Sequence, residues 1–231
     1  MYIIIDYRIP DEAKINLAKY GQIIEFKTEG ITYNAISSHP DIFFCQTSEK
    51  LIIASNTPSY IISFFQKKKI EYIIGKKEIG FQYPQSSHYN AVVTDKFLIH
   101  NSKHTDEKIV ESCSFKTKLS VNQGYTRCNL ISLGQNNFIT SDKGICNQLQ
   151  THLDINIKYT NPNKILLPNV NNGFFGGCCG ISRDKLFILG NLEYLADGLS
   201  IKEFATSLGF KIVELYDGLL YDGGGILFID A

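Results

Sequence analysis

A pattern that recurs five times and closes on itself limits what this chain can fold into more than any single residue does. A helix-like segment leads to an apolar strand, which leads to two short apolar runs joined by a tight polar turn. Asp41-Ile-Phe-Phe passes through 46–50 into Leu51-Ile-Ile-Ala, and Asn90-Ala-Val-Val passes through 94–96 into Phe97-Leu-Ile-His. Asn129-Leu-Ile-Ser turns at 134–136 into Asn137-Phe-Ile-Thr, and Cys179-Gly-Ile-Ser turns at 183–185 into Leu186-Phe-Ile-Leu. The fifth run, Gly225-Ile-Leu-Phe-Ile, has no room for a partner after it, and the unused run is Tyr2-Ile-Ile-Ile at the other end. A repeat of roughly 40–50 residues marks an array of like units rather than an unrelated series of elements.

The intervening segments fit the same unit. Helices are expected over Pro10–Tyr20 (Gly21 as stop), Thr57–Lys68, Thr105–Cys113, Ser141–His152, and a stretch opened by the capping-box pattern Ser200-Ile-Lys-Glu and ended by Gly209. Strands follow at Ile23–Lys27, Ile70–Ile74, Phe115–Val121, Ile155–Tyr159 and Phe210–Tyr216. One such unit cannot bury both faces of its sheet. Placed around an axis, five of them put helices outside and sheet edges around a central channel, and pairing the terminal strands closes the ring. The expected fold is therefore an α/β (in some schemes α+β) five-bladed propeller, a single domain over residues 1–231. An open doubly wound sheet would put single strands, not hairpins, between its helices.

Charge excludes some functions. With 23 basic and 23 acidic residues the net charge is zero, so no global field favours nucleic acid or an anionic membrane. Lys67-Lys68-Lys69 ends a helix, where cations complement the dipole. No run nears the roughly 20 apolar residues of a membrane span, and the apolar start is too short for a signal core, so a cytoplasmic location is expected. The six cysteines then read as reduced thiols, and no C-x-x-C pair suggests a metal. The glycine runs 173–180 and 223–225 lead into strands instead of opening a helix, which argues against a phosphate cradle. No metal or other cofactor is expected. Oligomeric state is not legible, and the expected partner is a small molecule in the channel.

Several runs carry a resemblance: Gly223-Gly-Gly-Ile before the last strand, His39-Pro-Asp41 at the first hairpin, Tyr89-Asn-Ala-Val-Val, Gly124-Tyr-Thr-Arg-Cys-Asn, Ile139-Thr-Ser-Asp-Lys-Gly and Gly173-Phe-Phe-Gly-Gly-Cys-Cys-Gly. With the repeat order, they make the whole chain resemble the pentein superfamily, five-bladed αβ propellers that include arginine deiminases, dimethylarginine hydrolases and amidinotransferases. The narrower likeness is to a bacterial branch of that fold. The resemblance implies a cysteine thiolate attacking a guanidinium carbon, two carboxylates holding the planar cation, and a histidine as acid and base. It places the nucleophile in the last blade, just beyond a glycine-rich turn. Here that place reads Gly225-Ile-Leu-Phe-Ile-Asp-Ala, without a cysteine.

The blade arrangement turns the starts of the hairpins toward the channel. This nominates His39, Asp41, His88, Cys128 and Cys178 as catalytic candidates, and Asn34, Asn90, Asn129 and Asp222 as ligand-binding candidates. His39-Pro-Asp41 fits a proton-transfer and cation-binding pair, or else an Asx-type turn leading into a strand. His88 occupies the matching place in the next unit. Cys128 and Cys178 are the remaining substitute nucleophiles, or else small core residues. His100, His104 and His152 read as surface or capping residues. Two functions follow: a hydrolase or transferase acting on a small guanidino or amidino compound with a displaced cysteine, or a non-catalytic pentein that binds a small ligand or a macromolecule.

Overall fold

Apolar runs this short cannot make a self-sufficient sheet, and the chain assembles five three-stranded sheets of one design. The structure, a computed structural model, describes residues 1–47 and 50–230; Ser48 and Glu49 of the first expected hairpin turn, and Ala231, lie outside the described residues. The first sheet holds β1 (Tyr2–Asp6) and β2 (Gln22–Phe26), linked by helix α1 (Asp11–Leu17). The second follows a helical turn, α2 (Pro40–Phe43), with β3 (Phe44–Gln46), β4 (Leu51–Ile53), helix α3 (Ser59–Lys68) and β5 (Tyr72–Ile74). The third has β6 (Val92–Val93), β7 (Phe97–His100), α4 (Glu107–Ser112) and β8 (Thr117–Ser120). The fourth follows α5 (Thr126–Asn129) with β9 (Leu130–Ser132), β10 (Asn137–Thr140), α6 (Lys143–Leu149) and β11 (Asn156–Tyr159). The fifth has β12 (Cys179–Ser182), β13 (Lys185–Ile188), α7 (Gly198–Ser207) and β14 (Lys211–Glu214). The last strand, β15 (Leu227–Ile229), leaves this sheet and pairs antiparallel with β1, Tyr2 opposite Ile229 and Ile4 opposite Leu227.

In every sheet the middle strand is antiparallel to the inner one and parallel to the outer one. That order fixes the two ends of the channel. Inner strands β3, β6, β9, β12 and β15 start at one end and run to the hairpin turns at the other. Each outer strand runs back to the starting end, so all the long connections gather there. Neighbouring inner strands pack on one another, as β3 on β6, β6 on β9 and β12 on β15.

The helices form as their ends dictate. Pro58 precedes α3, which buries Ile61 and Phe65 and stops at Lys69, held at φ 56° in the left-handed region usual for glycine. Asp106 caps α4 by accepting from the Lys108 amide, and Asp142 caps α6 by accepting from the Ile145 amide. The capping box expected at Ser200 does not form. The helix α7 starts earlier, at Gly198 with Asp197 at its N-cap, so Ser200 lies inside the helix and its Oγ accepts from Lys158 Nζ at 2.5 Å.

A second correction positions the site. Asp41 and Asn129 do not begin strands; they lie on the helical turns α2 and α5, and the strands start after them. Pro40 stands at the first helical position, where its fixed φ suits a turn. Corresponding 3₁₀ turns, Gln85–Ser87 and Gly176–Cys178, precede the inner strands of the third and fifth sheets. The turns α2 and α5 bring Asp41 and Cys128 together, Cys128 Sγ lying 3.1 Å from Asp41 Oδ2. Among the described residues, no helix is long and apolar enough to cross a membrane.

Candidate functional site

The residues at the inner-strand starts meet in one buried cluster on the axis. His39, at the cap of α2, is 1% exposed. Its Nε2 lies 3.9 Å from Asp6 Oδ2 and its Nδ1 3.8 Å from Asp222 Oδ1, both beyond hydrogen-bond range, and neither ring nitrogen has another partner. Asp222 Oδ2 accepts from the Phe174 amide at 2.9 Å and Oδ1 from the Gly224 amide at 3.0 Å. Burial pushes the Asp222 carboxyl up to about 6 and the neighbouring Asp41 adds to the rise; His39 and the two amides oppose it.

Backbone without side chains makes room for this cluster. A Cβ on Gly224, whose φ is +67°, would lie 2.2 Å from the His39 Cβ, and one on Gly177 would lie 1.9 Å from Asp222 Oδ1.

Asp41 joins the cluster from the other side. Its amide donates to the Gly224 carbonyl at 3.1 Å, and its Oδ2 accepts from the Cys128 thiol at 3.1 Å. Asp41 Oδ1 is buried with no hydrogen-bond partner. Asn90 ties the group together: Nδ2 donates to the Asp41 carbonyl at 3.0 Å and to Cys128 Sγ at 3.1 Å, while Oδ1 accepts from the Cys128 amide at 3.1 Å. Burial, then the negative charges of Asp41 and Asp222, holds the Cys128 thiol well above its ordinary value. Cys178 donates to the Phe174 carbonyl at 3.3 Å and is likewise raised, by burial and then by Asp222. These are the conditions opposite to those that make a reactive thiolate.

The other candidates fall elsewhere. His88 is half-buried; its Nδ1 donates to the His104 carbonyl at 2.6 Å, and burial lowers its pKa. Asn129 braces the fourth sheet, its Nδ2 donating to the Tyr125 carbonyl at 2.9 Å and its Oδ1 accepting from Ser141 Oγ at 3.0 Å. Asn34 is exposed, and its carbonyl rather than its side chain takes part, accepting from Arg8. His100, expected in a surface or capping role, is instead 2% exposed, with Nδ1 2.8 Å from Thr105 Oγ1 and Nε2 2.7 Å from the Gly124 carbonyl; burial brings it down to about 4. Arg8 was not singled out for the site, nor the role of Arg127: besides the Asp6 carboxylate two residues away, Arg8 holds backbone carbonyls, as Arg127 does, and these leave no mark in a sequence. Arg127 donates to the carbonyls of Gly176 at 2.7 Å and Cys179 at 3.1 Å.

The two ends of the channel differ. Toward the hairpin turns a pocket of about 460 Å³ opens, lined among others by Asp41, Arg127, Gly224, Gly225 and the turn at 94–96. The last blade contributes Ile226 and Leu227 to its wall. At the connection end Tyr33 donates to the Tyr125 hydroxyl at 3.3 Å, Ser86 Oγ lies 2.5 Å from that hydroxyl, and the Tyr83 ring sits 5.7 Å from the Tyr125 ring. Among the described residues no group of three or more His, Cys, Asp or Glu is arranged to hold a metal ion.

Residues 4–227 match a single family profile. The chain belongs to DUF6873, a family of unknown function. No curated protein matches the DUF6873 chain. Solved structures do, at the level of the fold. SxtG, an amidinotransferase of saxitoxin biosynthesis from Microseira wollei, superposes with a TM-score of 0.56 at 9% identity, over 92% of this chain and 87% of that one. A DDAH from Pseudomonas aeruginosa complexed with citrulline gives 0.56 at 10% identity, over 96% and 92%. An agmatine deiminase from C. jejuni gives 0.52 at 8% identity, over 92% and 86%. All three are penteins, and the DUF6873 chain has the pentein fold.

Proposed function

We propose that this pentein binds a small guanidino or amidino compound in the pocket beside Asp41, and that it does not process that compound through a cysteine thiolate. The observation that carries the reading is the Asp41 carboxylate, whose Oδ1 is buried and unpartnered in a residue that lines the pocket. A buried acceptor without a donor is costly, and a planar cation supplies two. A volume of about 460 Å³ lies in the range of small-molecule sites. The fold neighbours named above support the ligand class, since they are an amidinotransferase, an agmatine deiminase and a citrulline-bound DDAH.

The thiol part of the reading rests on electrostatics. Cys128 donates to a carboxylate and faces a second one, so ionising it would gather negative charge in a buried place. His39, with Asp6 and Asp222 on either side, stands outside the lining of that pocket.

Calorimetric titration with agmatine, arginine and guanidinoacetate tests the binding. Saturable heat is expected from at least one of them, weakened roughly 10–100-fold in Asp41→Asn, as befits loss of a charge-assisted pair worth about 1.5–3 kcal/mol. Absence of heat with all three, or equal affinity in Asp41→Asn, overturns the reading. Ammonia or urea release that disappears in Cys128→Ser would overturn its second half.

A further inference from the structure

At the connection end, on the side of His39 away from the pocket, the chain already holds a guanidinium. Asp6 ends β1, and Arg8 folds back over it. Arg8 Nε reaches Asp6 Oδ1 at 2.9 Å and Oδ2 at 3.1 Å, and Nη2 reaches Oδ2 at 2.5 Å. The outer edge meets the 3₁₀ turn Asn34–Ile36: Nη1 donates to the Asn34 carbonyl at 2.5 Å and Nη2 to the Ala35 carbonyl at 3.1 Å. The Tyr7 ring centroid is 5.9 Å from the guanidinium carbon. Carboxylate fork, carbonyl edge and nearby aromatic ring are what recognition of a planar cation requires.

These acceptors do not depend on Arg8 for their positions. Asp6 is held by its pairing with Phe26 in β2, and the two carbonyls by their own turn. The side chain of Asp6 is fully buried, while that of Arg8 keeps 23% exposure, so the bound group sits at the mouth with its receptor inside. The same Asp6 oxygen that faces Arg8 Nη2 lies 3.9 Å from His39 Nε2.

We propose that Asp6 and the Asn34 and Ala35 carbonyls form a guanidinium-binding cradle, occupied by the chain's own Arg8 and open to a free monoalkylguanidinium when Arg8 is withdrawn. A ligand entering from this end reaches His39 only by displacing Arg8. The cradle is separate from the Asp41 pocket, and its test reads a different residue, so either reading can fail alone.

The test is rescue of Arg8→Ala by methylguanidinium, followed by thermal melting of the full chain. Arg8→Ala is expected to melt several degrees lower and to regain at least half of that loss, saturably, at millimolar methylguanidinium. All melts are run in the Asp41→Asn background, which removes the pocket beside Asp41 as a second guanidinium site; there the chain with Arg8 intact, its cradle filled, should show no such rise. Methylammonium, which lacks the fork, should not restore the variant, and Asp6→Asn combined with Arg8→Ala should not respond. The proposal is overturned if methylguanidinium fails to raise the melting temperature of Arg8→Ala, or if methylammonium or the double variant responds equally. Should Arg8→Ala not fold, Arg8→Gln takes its place. Should neither fold, dilution from urea into methylguanidinium must recover the native far-ultraviolet circular dichroism, and failure to recover it also overturns the proposal.

Discussion

Gly224 offers a sharp test of how the cluster is held, because a single methyl group would enter it from a known direction. At φ +67° an alanine would adopt the left-handed region at a cost of roughly 1 kcal/mol. Its Cβ would also lie 2.2 Å from the Cβ, 2.5 Å from the Cγ and 2.6 Å from the Cα of His39. Two of those three atoms are anchored directly to the backbone of α2, so no flexible tail can swing away. Overpacking of this kind adds about 1–3 kcal/mol. Gly30 supplies the control. Its φ is +74°, and a Cβ there meets nothing within 4 Å, so Gly30→Ala carries the backbone cost alone. At roughly 2–4 °C per kcal/mol for a chain of this size, Gly30→Ala should melt about 2–4 °C below wild type and Gly224→Ala about 4–16 °C below. Calorimetric melts and urea midpoints of the two variants, measured side by side, give the difference directly. Equal destabilisation of the two would refute the claim that His39 is packed against the Gly224 backbone.

Other expectations concern protons and thiols. The Asp222 carboxyl is raised from 3.8 to about 6, so its protonated form favours folding; this contribution, on the order of 2–3 kcal/mol, is full below pH 4 and is lost as pH rises through 6. His100 acts in the opposite sense, since its fall from 6.5 to about 4 gives stability that is full above pH 6.5 and is lost as pH falls toward 4. Urea midpoints from pH 4 to 7.5 should therefore show wild type losing ground to Asp222→Asn as pH rises, and His100→Gln losing less than wild type as pH falls; slopes unchanged by either substitution would contradict both assignments. In thiol labelling at pH 7.5, Cys146, which is only partly buried, should react first, with Cys128 and Cys178 modified only on unfolding. Faster modification of Cys128 than of a free thiol would sink the electrostatic account of that residue.

The blades were legible because their signals are local. Tight polar turns between apolar triplets fix the hairpins, and Tyr2-Ile-Ile-Ile against Gly225-Ile-Leu-Phe-Ile left only one pairing that closes the ring. The helical turns Pro40–Phe43 and Thr126–Asn129 were hidden because nearly every residue there is buried, which erases the alternation that separates a turn from a strand. That error shifts the site by a residue or two. His88, chosen by its match to His39, turns toward His104 from the end of a 3₁₀ turn, while Asn90 reaches Cys128. Asp41, Cys128 and Asp222 do meet, since each begins or precedes an inner strand. His100 could not be read, as its partners are a threonine five residues away and a carbonyl on another connection.

The exchange of strands between the two ends of the sequence sets an order of assembly. Four sheets are built from consecutive segments and can form as those segments become available. The sheet begun by β1 has only two strands until β15 arrives, and Tyr2 must find Ile229 across nearly the whole chain. That contact carries the largest loop-closure entropy in the molecule and leaves one edge of β1 open for as long as it is missing. Until then Asp222 and Gly224, on the segment leading into β15, are not yet held against His39. The first blade in sequence is thus the last to be finished, and the cluster on the axis becomes complete only when the ring does.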